Sequence, residues 1–238
     1  MTGSDTALHE LNRRLVWAGF KQLAPLSLFV IAFGGAFGLA STQAGLDESL
    51  TLLMSTLVFA GASQFAALEL WGEQVPLFTM LATVFAINAR HLLMGATLYP
   101  WLRHLPPSRR YGVMMVASDA NWALAMQALR RGKPGMGLLL GGGLALWSSW
   151  ILGTWLGVYF NRAVQDPAAW GLDMAMGCFL LAIVLDGERN LRMLVIWAIA
   201  AGSSLLAYWY LPENIHVIVG AIAGGVVGIF WLERDDER

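Results

Sequence analysis

Long apolar runs recur along this chain at lengths that suit a lipid bilayer better than any water-soluble core. Eight segments are dominated by hydrophobic side chains: Gln22–Ser41, Leu50–Leu70, Val75–Tyr99, Gly112–Leu129, Met136–Phe160, Trp170–Leu185, Leu191–Leu211 and Ile215–Leu232. About 20 such residues cross the hydrocarbon core as a helix. Lipid offers no hydrogen bonds, so a spanning backbone must satisfy itself as a helix or a closed barrel, and the ten-residue alternation of barrel strands is absent. The expected fold is therefore an all-α integral membrane protein with about seven to eight transmembrane helices. Composition agrees: 57% of residues are hydrophobic and 13% charged, about half the ~25% of a soluble domain. The runs leave no room for a soluble domain. Residues 1–238 read as one polytopic domain, with 1–21 as a cytoplasmic amino-terminal segment and 233–238 as a cytoplasmic tail.

Several function classes drop out. A formal net charge of −1 gives no electrostatic case for nucleic acid. The single cysteine, Cys178, lies within an apolar run and can form no intrachain disulfide. There is no cysteine pair, no His-Glu-x-x-His and no phosphate-binding Gly-Lys-Ser or Gly-Lys-Thr, so neither a metal nor a cofactor is expected, and no ATP-driven motor. The amino end lacks the pattern of a cleavable signal peptide, which leaves the first span to direct insertion. An intramembrane hydrolase would have to conscript Ser63 and His91, yet Gly61-Ala62-Ser63-Gln64 lacks the glycine expected after such a nucleophile. No enzyme activity is expected. A non-catalytic membrane scaffold is the alternative to a transporter.

Loop charges orient the chain and pose a problem. Eight full spans with a cytoplasmic amino end place Arg13, Arg14, Lys21, Arg130, Arg131, Lys133, Arg189, Arg192, Arg234 and Arg238 inside and Arg162 outside, but also strand the Arg103, Arg109 and Arg110 loop outside. The conflict disappears if the Gly112–Leu129 segment and one of its predecessors are re-entrant or broken. Segment four, short and with Ser118, Asp119 and Asn121 at its centre, is the best candidate for a discontinuous helix. The rule also tolerates a single exception.

Polar residues inside apolar runs are expensive, so they mark the places where function is expected. Gln64 sits in Ala60-Gly61-Ala62-Ser63-Gln64-Phe65, where Gly61 and Gln64 share a helix face; Ser63 and Gln64 either bind substrate or only tie helices together. Asn88 and Arg90 follow, with Arg90 pointing away from Asn88 and needing its own partner; Asp119 is the first choice, with Asp173 and Glu69 as rivals. That pair is either a structural lock between helices or a device for substrate charge or a coupled proton. Gly34, Gly35 and Gly38 either pack a neighbouring helix or unwind near Pro25 to offer backbone groups to a ligand. The series Gly220, Gly224 and Gly228 reads as close helix packing, and also offers a flat face to a partner subunit. A weak internal echo, Gly34-x-x-x-Gly38 then Gly45-Leu46-Asp47 against Gly153-x-x-x-Gly157 then Gly171-Leu172-Asp173, suggests a duplicated unit of the kind transporters use.

Taken together, Phe37-Gly38-Leu39-Ala40, Met54-Ser55, Phe59-Ala60-Gly61-Ala62-Ser63-Gln64-Phe65, Asn88-Ala89-Arg90-His91 and a polar fourth segment with Asp119 resemble the AzlC family of bacterial branched-chain amino acid exporters over nearly the whole chain. The resemblance implies export of valine, leucine, isoleucine or similar amino acids across the cytoplasmic (inner) membrane, with a much smaller AzlD-type membrane subunit as partner. On the reading of the polar residues and glycines above, the candidate substrate contacts are Gly34, Gly35, Gly38, Ser63, Gln64, Asn88 and Arg90, with Asp119 or Asp173 as the coupling or amine-binding carboxylate. Where the family usually has Thr-Asp-Glu this chain has Ser118-Asp119-Ala120, so a scheme that needs two adjacent carboxylates does not carry over.

Overall fold

The structure, a computed structural model, describes residues 11–72, 75–161, 191–211 and 215–236. Among the described residues there are ten helices and no strand: α1 Arg13–Gln43, α2 Glu48–Leu57, α3 Gly61–Glu69, α4 Leu77–Asn88, α5 Arg90–Leu102, α6 Pro107–Met115, α7 Asp119–Arg130, α8 Met136–Phe160, α9 Leu191–Tyr210 and α10 Ile215–Asp236. Among the described residues four stretches are long and apolar enough to cross a bilayer: α1, the nearly continuous Leu77–Leu102, α8 and α9; within α10, Val219–Phe230 is a shorter apolar stretch. The protein is an all-α membrane protein. The Trp170–Leu185 segment, with Asp173 and Cys178, lies outside the described residues. The helices pack as two units, one holding residues 1–68 and 88–176, the other 69–87 and 177–238.

The spine of the first unit is α1 laid along α8. Val16 closes the open side of Gly141 with its carbonyl, Ile31 does so for Gly153, and Gly35 for Gly157. Numbers rise together on both helices, so the two run parallel. Asn12 caps the start of α1, its side-chain oxygen accepting from the Arg14 and Leu15 N–H groups at 2.7 and 3.2 Å. Pro25 lies inside α1 without ending it. Of the two readings of Gly34-Gly35, unwinding is corrected and close packing holds: the helix is continuous there, and the backbone of Trp150, Gly153 and Thr154 occupies the room beside Gly34 and Gly38. Glycine serves close approach here, because any side chain would meet main chain. The two halves of the sequence echo, Gly34–Gly38 and Gly153–Gly157, thus pack on each other.

Two hairpins of short helices lean on this spine. At about 1.5 Å per residue, α2 and α3 each span roughly half of a 30 Å hydrocarbon core, as does α6. Asp47 starts α2, accepting from Ser49 and Leu50 at 2.9 and 3.3 Å after a turn through Gly45 at φ 80°. α2 then runs against α8: Ser55 is bonded to Thr154 at 2.9 Å, and one residue on the Thr56 carbonyl accepts from Trp147 Nε1 at 3.1 Å. The chain reverses at residues 58–60. α3 sets out beside Phe33 and its Phe65 ring reaches Phe37 one turn further along α1, so it runs with the spine.

The second hairpin enters from the other end. Leu105 and Val113 lie in one buried cluster with Leu98, Leu102, Leu129 and Met136, and Leu11 at the foot of α1 packs on the same cluster. α7 then returns along α8, with Asn121 beside Gly143 and Leu129 beside Gly135, and turns into α8 through Gly132 at φ 66°. The arginines of 103–110 therefore share an end of the unit with Arg13, Arg14, Arg130, Arg131 and Lys133. Arg110 also ties that loop, its Nη2 donating to the carbonyls of Arg103 and Leu105 at 3.2 Å each. Segment four is discontinuous as expected, and segment two is broken as well.

In the second unit α9 and α10 are antiparallel. Gly220 lies against Ala200 and Ser204, and Gly224 against Ala200 and Ile196. The glycine series proposed as a partner face is thereby corrected at Gly220 and Gly224, whose open sides are covered by α9.

Candidate functional site

Both hairpins turn beside the α8 spine, and each break leaves backbone groups that need partners. At the first break Trp147 satisfies the Thr56 carbonyl, and the Ala60 carbonyl accepts from the Gln64 N–H and from Ser63 Oγ at 3.0 and 2.9 Å. Four rings, Phe33, Phe37, Phe65 and Trp150, close around this turn with centroids 5.0 to 5.6 Å apart. Gly61 fits because a Cβ would come 2.9 Å from the Trp150 ring. At the second break Asn121, fully buried, does the work of several partners. Its oxygen accepts from the Ser118 N–H and hydroxyl at 2.6 and 2.9 Å, and its amide donates to the carbonyls of Val116 and Leu139 at 2.9 and 2.7 Å. The Ser118-x-x-Asn121 spacing is that of a capping box, a signal the sequence carried and that singling out Asp119 overlooked. Thr154, buried against Ser55 within the Gly153–Gly157 stretch, carried no such signal.

Between α4 and α5 only Ala89 departs from helix, with its backbone still in the right-handed region. Asn88 and Arg90 therefore flank a joint within the same apolar stretch. Asn88 Nδ2 donates to Ser63 Oγ at 3.0 Å, linking this joint to α3. Because the Ser63 proton is committed to the Ala60 carbonyl, the bond fixes which end of the Asn88 amide faces Ser63 and leaves Asn88 Oδ1 buried without a partner. Arg90 Nη1 donates to Asp119 Oδ2 at 2.5 Å, and the pair is half-exposed, at 35% and 53%. Asp119 is the first residue of α7, where the positive end of the helix dipole also favours its charge. Inside a membrane a pair open to this extent requires a wet cavity or a covering partner. His91 stays at the joint, its Nδ1 3.3 Å from the Asn88 carbonyl.

Gln64 stands apart. Its side chain is fully buried, and neither Nε2 nor Oε1 has a hydrogen-bond partner. Leaving a buried polar group unpaired costs about 1–3 kcal/mol. The structure thus brings Ser63 together with Asn88, and Arg90 together with Asp119, and places Gln64 next in chain to the first pair. Gly34 and Gly38 face α8 instead, and a Cβ added at Gly35 would meet the Gly153 carbonyl only at ordinary contact distance. Asp173 lies outside the described residues. Among the described residues no cluster of three metal-ligating side chains forms. What remains is a set of amide, hydroxyl, guanidinium and carboxylate groups at helix ends and joints, suited to a small ligand bearing both charges.

Comparison with known proteins places the chain. The family model described as "AzlC protein" matches residues 25–164, a stretch that contains both hairpins and every polar residue of this centre. The chain is 25% identical to "Inner membrane protein YgaZ" of Escherichia coli (strain K12), an alignment covering 92% of this chain and 93% of the relative. It is 24% identical to "Branched-chain amino acid transport protein AzlC" of Bacillus subtilis (strain 168), over 75% and 71% of the two chains. An "Uncharacterized membrane protein" of Archaeoglobus fulgidus is 25% identical over 91% and 96%. No solved structure matches. With more than half of its length matched by the family model, and the matched stretch holding most of the spine, both hairpins and the polar centre, the chain belongs to the AzlC family.

Proposed function

We propose that this protein is the large subunit of a transporter that exports branched-chain amino acids, or close analogues, across the bacterial inner membrane without ATP and coupled to an ion. A small AzlD-type membrane subunit is its partner in this reading. Supporting it are the family and the name of the Bacillus subtilis relative, a branched-chain amino acid transport protein. The observation that carries it is the Arg90–Asp119 pair, formed between the α4–α5 joint and the first residue of a half-length helix. Discontinuous helices with charges at their inner ends are how many transporters meet a substrate or coupling ion. In an empty site the two charges neutralise each other, and in the transport cycle they are released to the substrate's charges or, at Asp119, to a proton. The basic end of the first unit is the cytoplasmic end on the positive-inside rule.

Counterflow of labelled valine in proteoliposomes, with and without the small subunit, tests the reading. Asp119→Asn and Arg90→Gln are each expected to leave folded protein and abolish counterflow, and the double variant is expected to remain inactive, because no repacking restores a missing charge. A folded double variant with parental counterflow reduces the pair to a structural lock.

A further inference from the structure

We propose that the Gln64 side chain, with Asn88 Oδ1, is the docking point for the α-amino and α-carboxylate groups of a zwitterionic substrate; this rests on the transport reading above and assigns its ligand contact. The Arg90 and Asp119 charges are held by each other until the pair opens, whereas Gln64 is fully buried with both polar atoms unpaired and meets the substrate first. Among the described residues it is the one side chain with two separate polar atoms orphaned in the interior, Nε2 a donor and Oε1 an acceptor. That two-sidedness selects the ligand. A bare cation would fill Oε1 and be repelled by the amide hydrogens, and a bare anion would do the reverse. A zwitterion satisfies both, its carboxylate accepting from Nε2 and its ammonium donating to Oε1. The unpaired Asn88 Oδ1, held in place by the bond to Ser63, adds a second acceptor for an ammonium. The four rings that close around Gly61 fix the turn from which Gln64 projects, so its position is set before any ligand arrives.

Thermal melting of the purified full-length chain in detergent, titrated with L-valine, isobutylamine or isovalerate, tests this together with valine counterflow. The wild-type protein is expected to be stabilised by valine and not by the amine or the acid at the same concentration. Gln64→Leu is expected to melt above the wild type without ligand, since it removes an unpaired polar group, and to need about tenfold more valine for half-saturation in both assays, the equivalent of one lost hydrogen bond. A Gln64→Leu protein that melts below the wild type, or keeps the parental valine dependence while the wild type transports valine, overturns the assignment and leaves the transport reading intact. Equal stabilisation by isobutylamine alone overturns it in favour of a cation site. Failure of the wild type to exchange any amino acid sinks the transport reading, and this assignment with it.

Discussion

The two helical hairpins are alike in plan and opposite in finish. Each is built from helices too short to cross a bilayer, each turns beside α8, and each begins its second helix with polar residues within an otherwise apolar run. At the tip of α6–α7, Asn121 is fully buried and every polar atom of its amide is engaged. In α2–α3, Gln64 is as deeply buried and engages nothing. One amide closes a structure; the other leaves both of its polar atoms unpaired. Buried polarity alone therefore does not mark a binding residue, and the useful sign is buried polarity left unsatisfied.

The sharpest way to break the comparison is to ask whether the hairpins enter from opposite faces. With Cys178 replaced by serine, single cysteines at Ser49 and Ser108 are expected to label from opposite sides of a sealed vesicle, an all-or-none result. Labelling of both from one side would turn one hairpin into a plain span. Next in size is Asn121→Leu, which strands the Ser118 N–H and two carbonyls. It is expected to cost about 3 kcal/mol or more, seen as lost folded yield and a lower melting temperature in detergent. The smallest effect separates two glycines. Gly61→Ala pushes a methyl into the Trp150 ring and is expected to cost about 1–3 kcal/mol, whereas Gly112→Ala meets open space and should be neutral or gain up to about 1 kcal/mol from helix propensity. Equal melting of the two would mean that the ring cluster yields easily and does not fix the first turn.

Much of this was legible from the chain because lipid imposes long, one-dimensional patterns. The segment Met136–Phe160 is α8 itself, and Leu191–Leu211 overshoots α9 by one residue. The misfit of Arg103, Arg109 and Arg110 with eight full spans pointed to broken segments, since charge and crossing number are linked. Asp119 as the partner of Arg90 followed from the cost of an unpaired charge. Glycines were harder. A glycine pair near a proline has the same spelling whether the helix unwinds for a ligand or admits a neighbour, and only the position of α8 decides for Gly34 and Gly38. Gly220 and Gly224 pose the same ambiguity between partner and self. The orphaned state of Gln64 was beyond the sequence, since it depends on which side chains fail to arrive.

The parallel course of α1 and α8 has a consequence for how the protein is made. Val16 and Gly141, which touch in the finished unit, are 125 positions apart (141 − 16). At roughly 5–20 residues per second, a ribosome needs on the order of 6–25 s to travel between them. For that interval α1 resides in the membrane with its glycine face uncovered, and the hairpins emerge before the helix they will lean on. Among the described helices of this unit α1 waits for α8, so its assembly is a late, long-range closure and not a sequence of local hairpins.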